Sequence, residues 1–397
     1  KELLVMKEFL NNRSNQYVLI FFLYVLISVV VGKSIVLSVM MWLFTFMSIY
    51  YFVYASVNYK LPRVLKVFNI FTLLLAAYGL VLMFSEKQLI VTQGQWRIVD
   101  NGLYIKQITR FLLPLNAFYV FAKRGLLTKH SMRVWFFAFL ALQTLLFFNR
   151  ASYLSETSHG DIGVTNNDSY DFIALIPLCI FVMSKKKWQI PLLLYCLVFI
   201  ILGGKRGAIV CGAVAIVIYF YFQIKRSSTL AKLGTMLVAG GVVVALFFVF
   251  NWVLDANQYF FIRIQRILEG DYGHRSDLYA TFWNHFLHES NPWRQLFGNG
   301  ADATLEIYDN YAHNDWLELL INQGVVGVAI YAVLFYYLFN EYRYQPEEYK
   351  MVYLIVVLIW FTKSLFSMGY RTLPIFELML LGYLLANRMS ATIKKLF

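Results

Sequence analysis

Three residues in this chain combine a reactive side chain with a suggestive setting: His313, Arg206 and Arg275. His313 stands just before an apolar run, in Ala-His-Asn-Asp-Trp-Leu-Glu. Histidine is the side chain whose ordinary pKa suits general-base work near neutrality, although a lone histidine also serves often as a structural group. Arg206 sits in Gly-Gly-Lys-Arg-Gly-Ala-Ile-Val at the start of another apolar run. Glycine permits close backbone approach, a helix N-terminus presents unpaired N–H groups, and a guanidinium is a planar fork suited to phosphate. A phosphate cradle and a tight turn with a snorkelling Lys205-Arg206 pair both satisfy that pattern. Asp315 and Glu318 have the D-x-x-E spacing of a capping box, and helix capping is the expected role of Asp315. His285 and His288 are three apart, but no third ligand of matching spacing accompanies them, so no metal site is expected.

Further ionisable residues gather on the same side of the apolar runs: Arg150, Asp168, Asp171, Lys205, Lys363, Arg371 and Glu377. Charges near membrane depth are costly and usually face a cavity or pair with one another. A polar, outward-facing site is therefore expected.

The elements that must position these groups are membrane spans. The chain has 397 residues, 60% hydrophobic and 14% charged, against roughly half and a quarter in soluble domains. Apolar stretches of helix-spanning length recur, and twelve are expected: 17–31, 35–55, 64–84, 104–121, 134–149, 170–183, 189–203, 207–223, 233–252, 315–339, 350–366 and 371–387. No cleavable signal peptide is evident before the first. The segments on the side of the N-terminus, with Lys66 and Lys350, hold 21 of the 35 Lys/Arg and 5 of the 22 Asp/Glu. That side is +16 and the remainder −3, so the positive-inside rule puts both termini in the cytoplasm. The basic excess is thus a topology signal and argues against a nucleic-acid partner. Cys179, Cys196 and Cys211 lie in apolar runs and read as small core residues.

The expected architecture is an all-α polytopic membrane protein: transmembrane helices 1–9 over 1–252, a large extracytoplasmic loop over 253–314, and helices 10–12 over 315–397. Polar outer loops at 85–103 and 150–169 are long enough to fold over a cavity. In the large loop, Arg275–Glu289 reads as an amphipathic helix with Tyr279, Phe282, Trp283 and Phe286 on one face. That face either lies on the membrane or packs on the rest of the loop.

The run His313–Glu318, followed by Gln323-Gly324 and Gly327 and preceded by Phe297-Gly-Asn-Gly300, resembles the signature of the O-antigen polymerase/ligase family of bacterial membrane glycosyltransferases. Arg206-Gly207 resembles a second motif of that family, and His274-Arg275-x-x-x-Tyr279 a third. The resemblance implies a donor glycan on undecaprenyl pyrophosphate, used on the outer face of the bacterial cytoplasmic membrane. It implies His313 as base and Arg206 and Arg275 on the leaving diphosphate. Lys205, Arg150 and Arg371 are further diphosphate candidates, and Asn314 and Glu318 join the substrate-binding set. Fixed arginines could replace a metal, and no cofactor is expected. Polymerisation of O-antigen or capsular repeat units is the first expectation, and ligation to the lipid A core the alternative. A chain-length regulator is a further partner to test for, besides membrane lipids. A secondary transporter would share the span number and buried charges, but no repeat between halves is visible.

Overall fold

The computed structural model describes residues 9–30, 34–87, 89–91, 97–157, 166–269 and 275–389. Its helices are α1 (Arg13–Val30), α2 (Ile35–Asn58) and α3 (Arg63–Met83), then α4 (Leu103–Phe111), α5 (Pro114–Lys123), α6 (Lys129–Thr157), α7 (Ser169–Val182) and α8 (Lys186–Leu202). There follow α9 (Arg206–Lys225), α10 (Thr229–Ala256), α11 (Gln258–Leu268), α12 (Arg275–His288), α13 (Pro292–Phe297) and α14 (Ala303–Tyr308). The chain closes with α15 (Asp315–Glu341), α16 (Glu347–Phe366) and α17 (Ile375–Ala386). The protein is an all-α polytopic membrane protein. Eight of these helices are long and apolar enough to cross a membrane, and α7 and α17 are shorter apolar helices.

Eight of the twelve expected spans coincide with these long apolar helices, while 104–121, 170–183, 189–203 and 371–387 fall on shorter ones, and two of those four are shaped differently from the expectation. The fourth, 104–121, is split into α4 and α5 at Pro114, which occupies the first turn of α5. Proline lacks the N–H that a continuous helix would use there. The last starts after Pro374, behind a short 3₁₀ turn at Tyr370–Thr372. The polar loop at 85–103 holds an antiparallel pair, β1 (Leu89–Val91) and β2 (Arg97–Val99), with Leu89 opposite Val99.

The core runs along the axis of the bundle, where α17 packs on α5, α16 on α9, and α15 on α3. Trp360, Tyr331, Phe71 and Phe68 are fully buried there, with Phe71 stacked on Tyr331 at 5.0 Å. The three cysteines are buried and unpaired. Helix α10 behaves differently: only Val242 and Val253 are buried, while Leu237, Val243, Phe247, Phe248 and Trp252 point outward. An apolar helix exposed along its length needs hydrocarbon around it.

In the segment between α10 and α15, α12 packs inward through Leu278 and Phe282, flanked by Tyr279 and Phe286, against Ala303, Ala312 and Ile321. The amphipathic face therefore rests on its own loop. Trp283, expected on that face, is 50% exposed on its edge.

Candidate functional site

Helix α8 ends at Gly203, and Gly204 takes φ +59 before α9 begins at Arg206. The glycines in this turn are sites of close approach. A Cβ on Gly203 would lie 2.7 Å from Ser169 Cβ, and one on Gly207 would lie 2.4 Å from Tyr170 Oη and 3.1 Å from Phe366 Cβ. The turn thus presses the start of α9 against α7 and the end of α16, which fixes where Arg206 emerges. Lys205, at the N-cap, supplies no side-chain cap.

Across from it stands α12, whose first residue is Arg275. Together Arg206, Gly207 and Val210 from α9, Arg275, Ser276 and Tyr279 from α12, and Leu365 and Phe366 from α16 line a pocket of about 460 Å³. Among the described residues its lining carries two guanidiniums and no carboxylate; Val210, Leu365 and Phe366 give it an apolar side. Arg275 Nη1 donates to the Phe366 carbonyl at 3.3 Å.

The neighbouring carbonyl, Leu365, accepts from Asn314 Nδ2 at 3.1 Å. The last turn of α16 is therefore a shared wall, with the arginine pocket on one carbonyl and the His313 turn on the next. Asn314 is the N-cap of α15, its side chain accepting from Leu317 N at 3.0 Å. This corrects the capping assignment: the cap is one residue before Asp315. His313 occupies the left-handed region, φ 52, a conformation that is strained for a residue with a Cβ and that clusters at functional sites. Burial first, then the charges of Arg275 and Lys205, push its pKa down to about 4. His313 is therefore a neutral imidazole over the whole physiological range, able to accept a proton.

The two carboxylates of the motif serve the architecture. Asp315 accepts from Tyr331 Oη at 2.7 Å and from the N–H groups of Gly369 and Tyr370 at 2.7 and 3.1 Å. It ties the start of α15 to the turn before α17. Glu318 accepts from Ala312 N at 2.7 Å, Thr304 Oγ1 at 2.8 Å and Asn322 Nδ2 at 3.0 Å. Its bond to Ala312 holds the residue just before His313. Glu318 is fully buried and does not line the pocket, so its geometry is that of a positioning residue rather than a substrate ligand.

Arg371 is likewise away from the pocket. It is 0% exposed and paired with Asp302. It also donates to Gln107 Oε1 through Nε and Nη2 at 2.9 and 2.6 Å, and lies over the rings of Tyr104 and Tyr311 at 4.7 and 4.9 Å. Arg150 pairs with Asp168 at 2.6 Å and does not line the pocket either. Lys205 stays close enough to depress His313. His274 lies outside the described residues.

Removing Arg371 would leave Asp302 buried and uncompensated, which typically costs about 3–5 kcal/mol. The expected outcome for Arg371→Ala is loss of protein from the membrane fraction. Normal accumulation with no turnover would instead put Arg371 in the chemistry.

The Phe297–Gly300 and Gln323-Gly324 motifs meet in space. Gly324 has φ +66 and breaks α15, freeing the carbonyls of the turn before it. Asn299 N and Gly300 N donate to the Ile321 and Asn322 carbonyls at 2.9 and 3.0 Å. A Cβ on Gly298 would lie 2.3 Å from Asn322 O, and one on Gly324 2.5 Å from Leu296 O. Backbone lies directly on backbone, and only glycine fits on both sides.

Residues 191–332 match the family model described as O-Antigen ligase, a stretch that contains Arg206, Arg275, His313, Asn314 and Glu318 but neither Arg150 nor Arg371. No curated protein and no solved structure matches the chain.

Proposed function

We propose that this chain, whose residues 191–332 match the O-Antigen ligase family model, transfers a glycan from undecaprenyl pyrophosphate to an acceptor sugar on the outer face of the cytoplasmic membrane. The observation that carries this reading is the shared wall at the end of α16. It sets a pocket with two arginines and an apolar side next to a neutral histidine. The acceptor hydroxyl attacks the anomeric carbon of the donor while its proton passes to His313. The bond between that carbon and the diphosphate oxygen breaks, and the diphosphate departs with the electron pair. Arg206 and Arg275 meet the charge that grows on the leaving group, where fixed cations are most effective. Val210, Leu365 and Phe366 offer hydrocarbon to the first isoprene units of the carrier.

Two acceptors are compatible with this chemistry. Extension of a lipid-linked repeat chain makes the protein a polymerase, and this is the reading we put first. Transfer to the lipid A core makes it a ligase, a reading favoured by the description of the matching family. Complementation decides between them. Expression in a polymerase-null strain is expected to restore a glycan ladder on gels, and a ladder appearing only in a ligase-null strain would select the second reading. Restoration of neither would sink the proposal.

The proposed side of the membrane has its own test. Ser290 is exposed just after α12, and the native cysteines are buried. A Ser290→Cys variant is expected to react with a membrane-impermeant maleimide in intact spheroplasts. Labelling that requires permeabilised membranes would reverse the topology.

A further inference from the structure

Four cations surround a second cavity, of about 420 Å³, at the far end of α15 from His313: Lys60, Arg63, Lys123 and Arg388. Its place is fixed by Arg388, which pairs at 2.8 Å with Glu341, the last residue of α15. Helix α3 begins in this cavity, and Pro62 at its N-cap offers no side-chain hydrogen bond to the first turn. The positive end of a 21-residue helix therefore adds to the field of the side chains.

Among the described residues the charges here are not balanced. No acidic one among them lines the cavity, and Glu341 beside it is engaged by Arg388. Among the described residues Lys60, Arg63 and Lys123 take part in no ion pair. Lys123 and Arg388 are close enough to repel each other. A concave site that gathers like charges around an uncapped helix start is stabilised by an anion. Tyr119, buried in the wall, gives it an apolar back, and Val57 on the adjoining turn of α2 is 77% exposed.

We propose that this cavity binds the phosphodiester headgroup of an anionic phospholipid. A lipid fits better than a soluble anion because the cations stand at helix ends beside outward-facing apolar side chains, the level at which headgroups lie. They also belong to the basic end of the bundle, and basic pockets between transmembrane helices are suited to anionic headgroups. The site is separate from the arginine pocket and independent of the glycan chemistry.

The test uses the full chain purified in detergent, with dioleoyl phosphatidylglycerol as probe and native mass spectrometry as readout. A Lys60→Gln, Arg63→Gln, Lys123→Gln triple variant is compared with Lys185→Gln, Lys186→Gln, Lys187→Gln, which removes the same charge from exposed lysines elsewhere. At about 1 kcal/mol per cation near a charged surface, phosphatidylglycerol affinity is expected to fall on the order of 100-fold in the first variant. The second is expected to bind as wild type. If the first triple does not insert, Arg63→Gln alone is expected to lose about fivefold. Equal affinity in the two triples, or equal binding of phosphatidylcholine, would overturn the site. Thermal stabilisation by inorganic phosphate matching that by phosphatidylglycerol would overturn the lipid as its occupant.

Discussion

Replacing Arg206 or Arg275 by alanine is expected to lower turnover by about 10²–10³-fold, the usual cost of removing one fixed charge from a developing anion. The protein should still accumulate, because both side chains line a pocket and neither is buried in the core. In this they contrast with Arg371. Lysine at either position is expected to recover only a small part of the rate, since an ammonium is a point charge without the bidentate fork. The two positions also differ from each other. Arg275 is held by the Phe366 carbonyl, so its alanine variant loosens α12 from α16 as well as removing charge. A lower melting temperature is expected for Arg275→Ala than for Arg206→Ala. The measurement is single-turnover kinetics with purified lipid-linked donor, alongside melting in detergent. Near-normal turnover in both lysine variants would remove the fork from the mechanism.

His313→Ala is expected to lose about 10²–10⁴-fold, the contribution typical of a general base, with donor affinity retained by the arginines. His313→Gln keeps a hydrogen-bonding group but cannot take the proton, so it should be nearly as slow. The pH dependence is distinctive. A base works in its neutral form, so activity falls as pH drops through its pKa. For the free enzyme that pKa is pushed down to about 4 by burial, Arg275 and Lys205, so kcat/KM should stay level from pH 8 down to about 5. An inflection near the ordinary histidine value of about 6.5 would mean that the imidazole is solvated and unpaired with these charges. In the donor complex the diphosphate offsets the two cations, so kcat should begin to fall at a higher pH than kcat/KM. Neutralising Arg275 should move the free-enzyme inflection upward too. If His313 only shapes its left-handed turn, Gln will restore most of the rate and both profiles will coincide with wild type.

Much of this arrangement was legible in the sequence, and the exceptions have physical reasons. The spans were visible because a helix in hydrocarbon must be apolar over its length. The gathering of Arg206, Arg275 and His313 at one end of the bundle was suggested by their motifs and by the side of the membrane assigned to each. The Asp302–Arg371 lock was not visible: its members are 69 positions apart, and nothing local marks either as buried. Arg371 reads as a ligand from the sequence, whereas the structure buries it against Asp302 and Gln107. The capping residue was missed by one position because Asn314 and Asp315 are both good caps, and only the buried partners of Asp315 separate them. The break at Pro114 and the β1–β2 hairpin did carry local signals. A proline inside an expected span and paired β-branched runs around Thr92–Gln95 can be read directly.

The arginine pocket has one wall on each of two mechanical parts. Arg206 is carried by α9, which is packed into the bundle, whereas Arg275 is carried by the outer segment. His313 is fastened to both parts: Asn314 and Asp315 bond it to α16 and the turn before α17, while the turns ahead of Gly324 are zipped to the loop at Asn299 and Gly300. A ligand that bridges the two guanidiniums would therefore act as a clasp. Part of its binding free energy would be spent on holding α12 against α9, beside the imidazole that the bundle already fixes. Anything that stiffens or lifts the outer segment would then retune donor affinity and rate together, without touching a single group in the pocket.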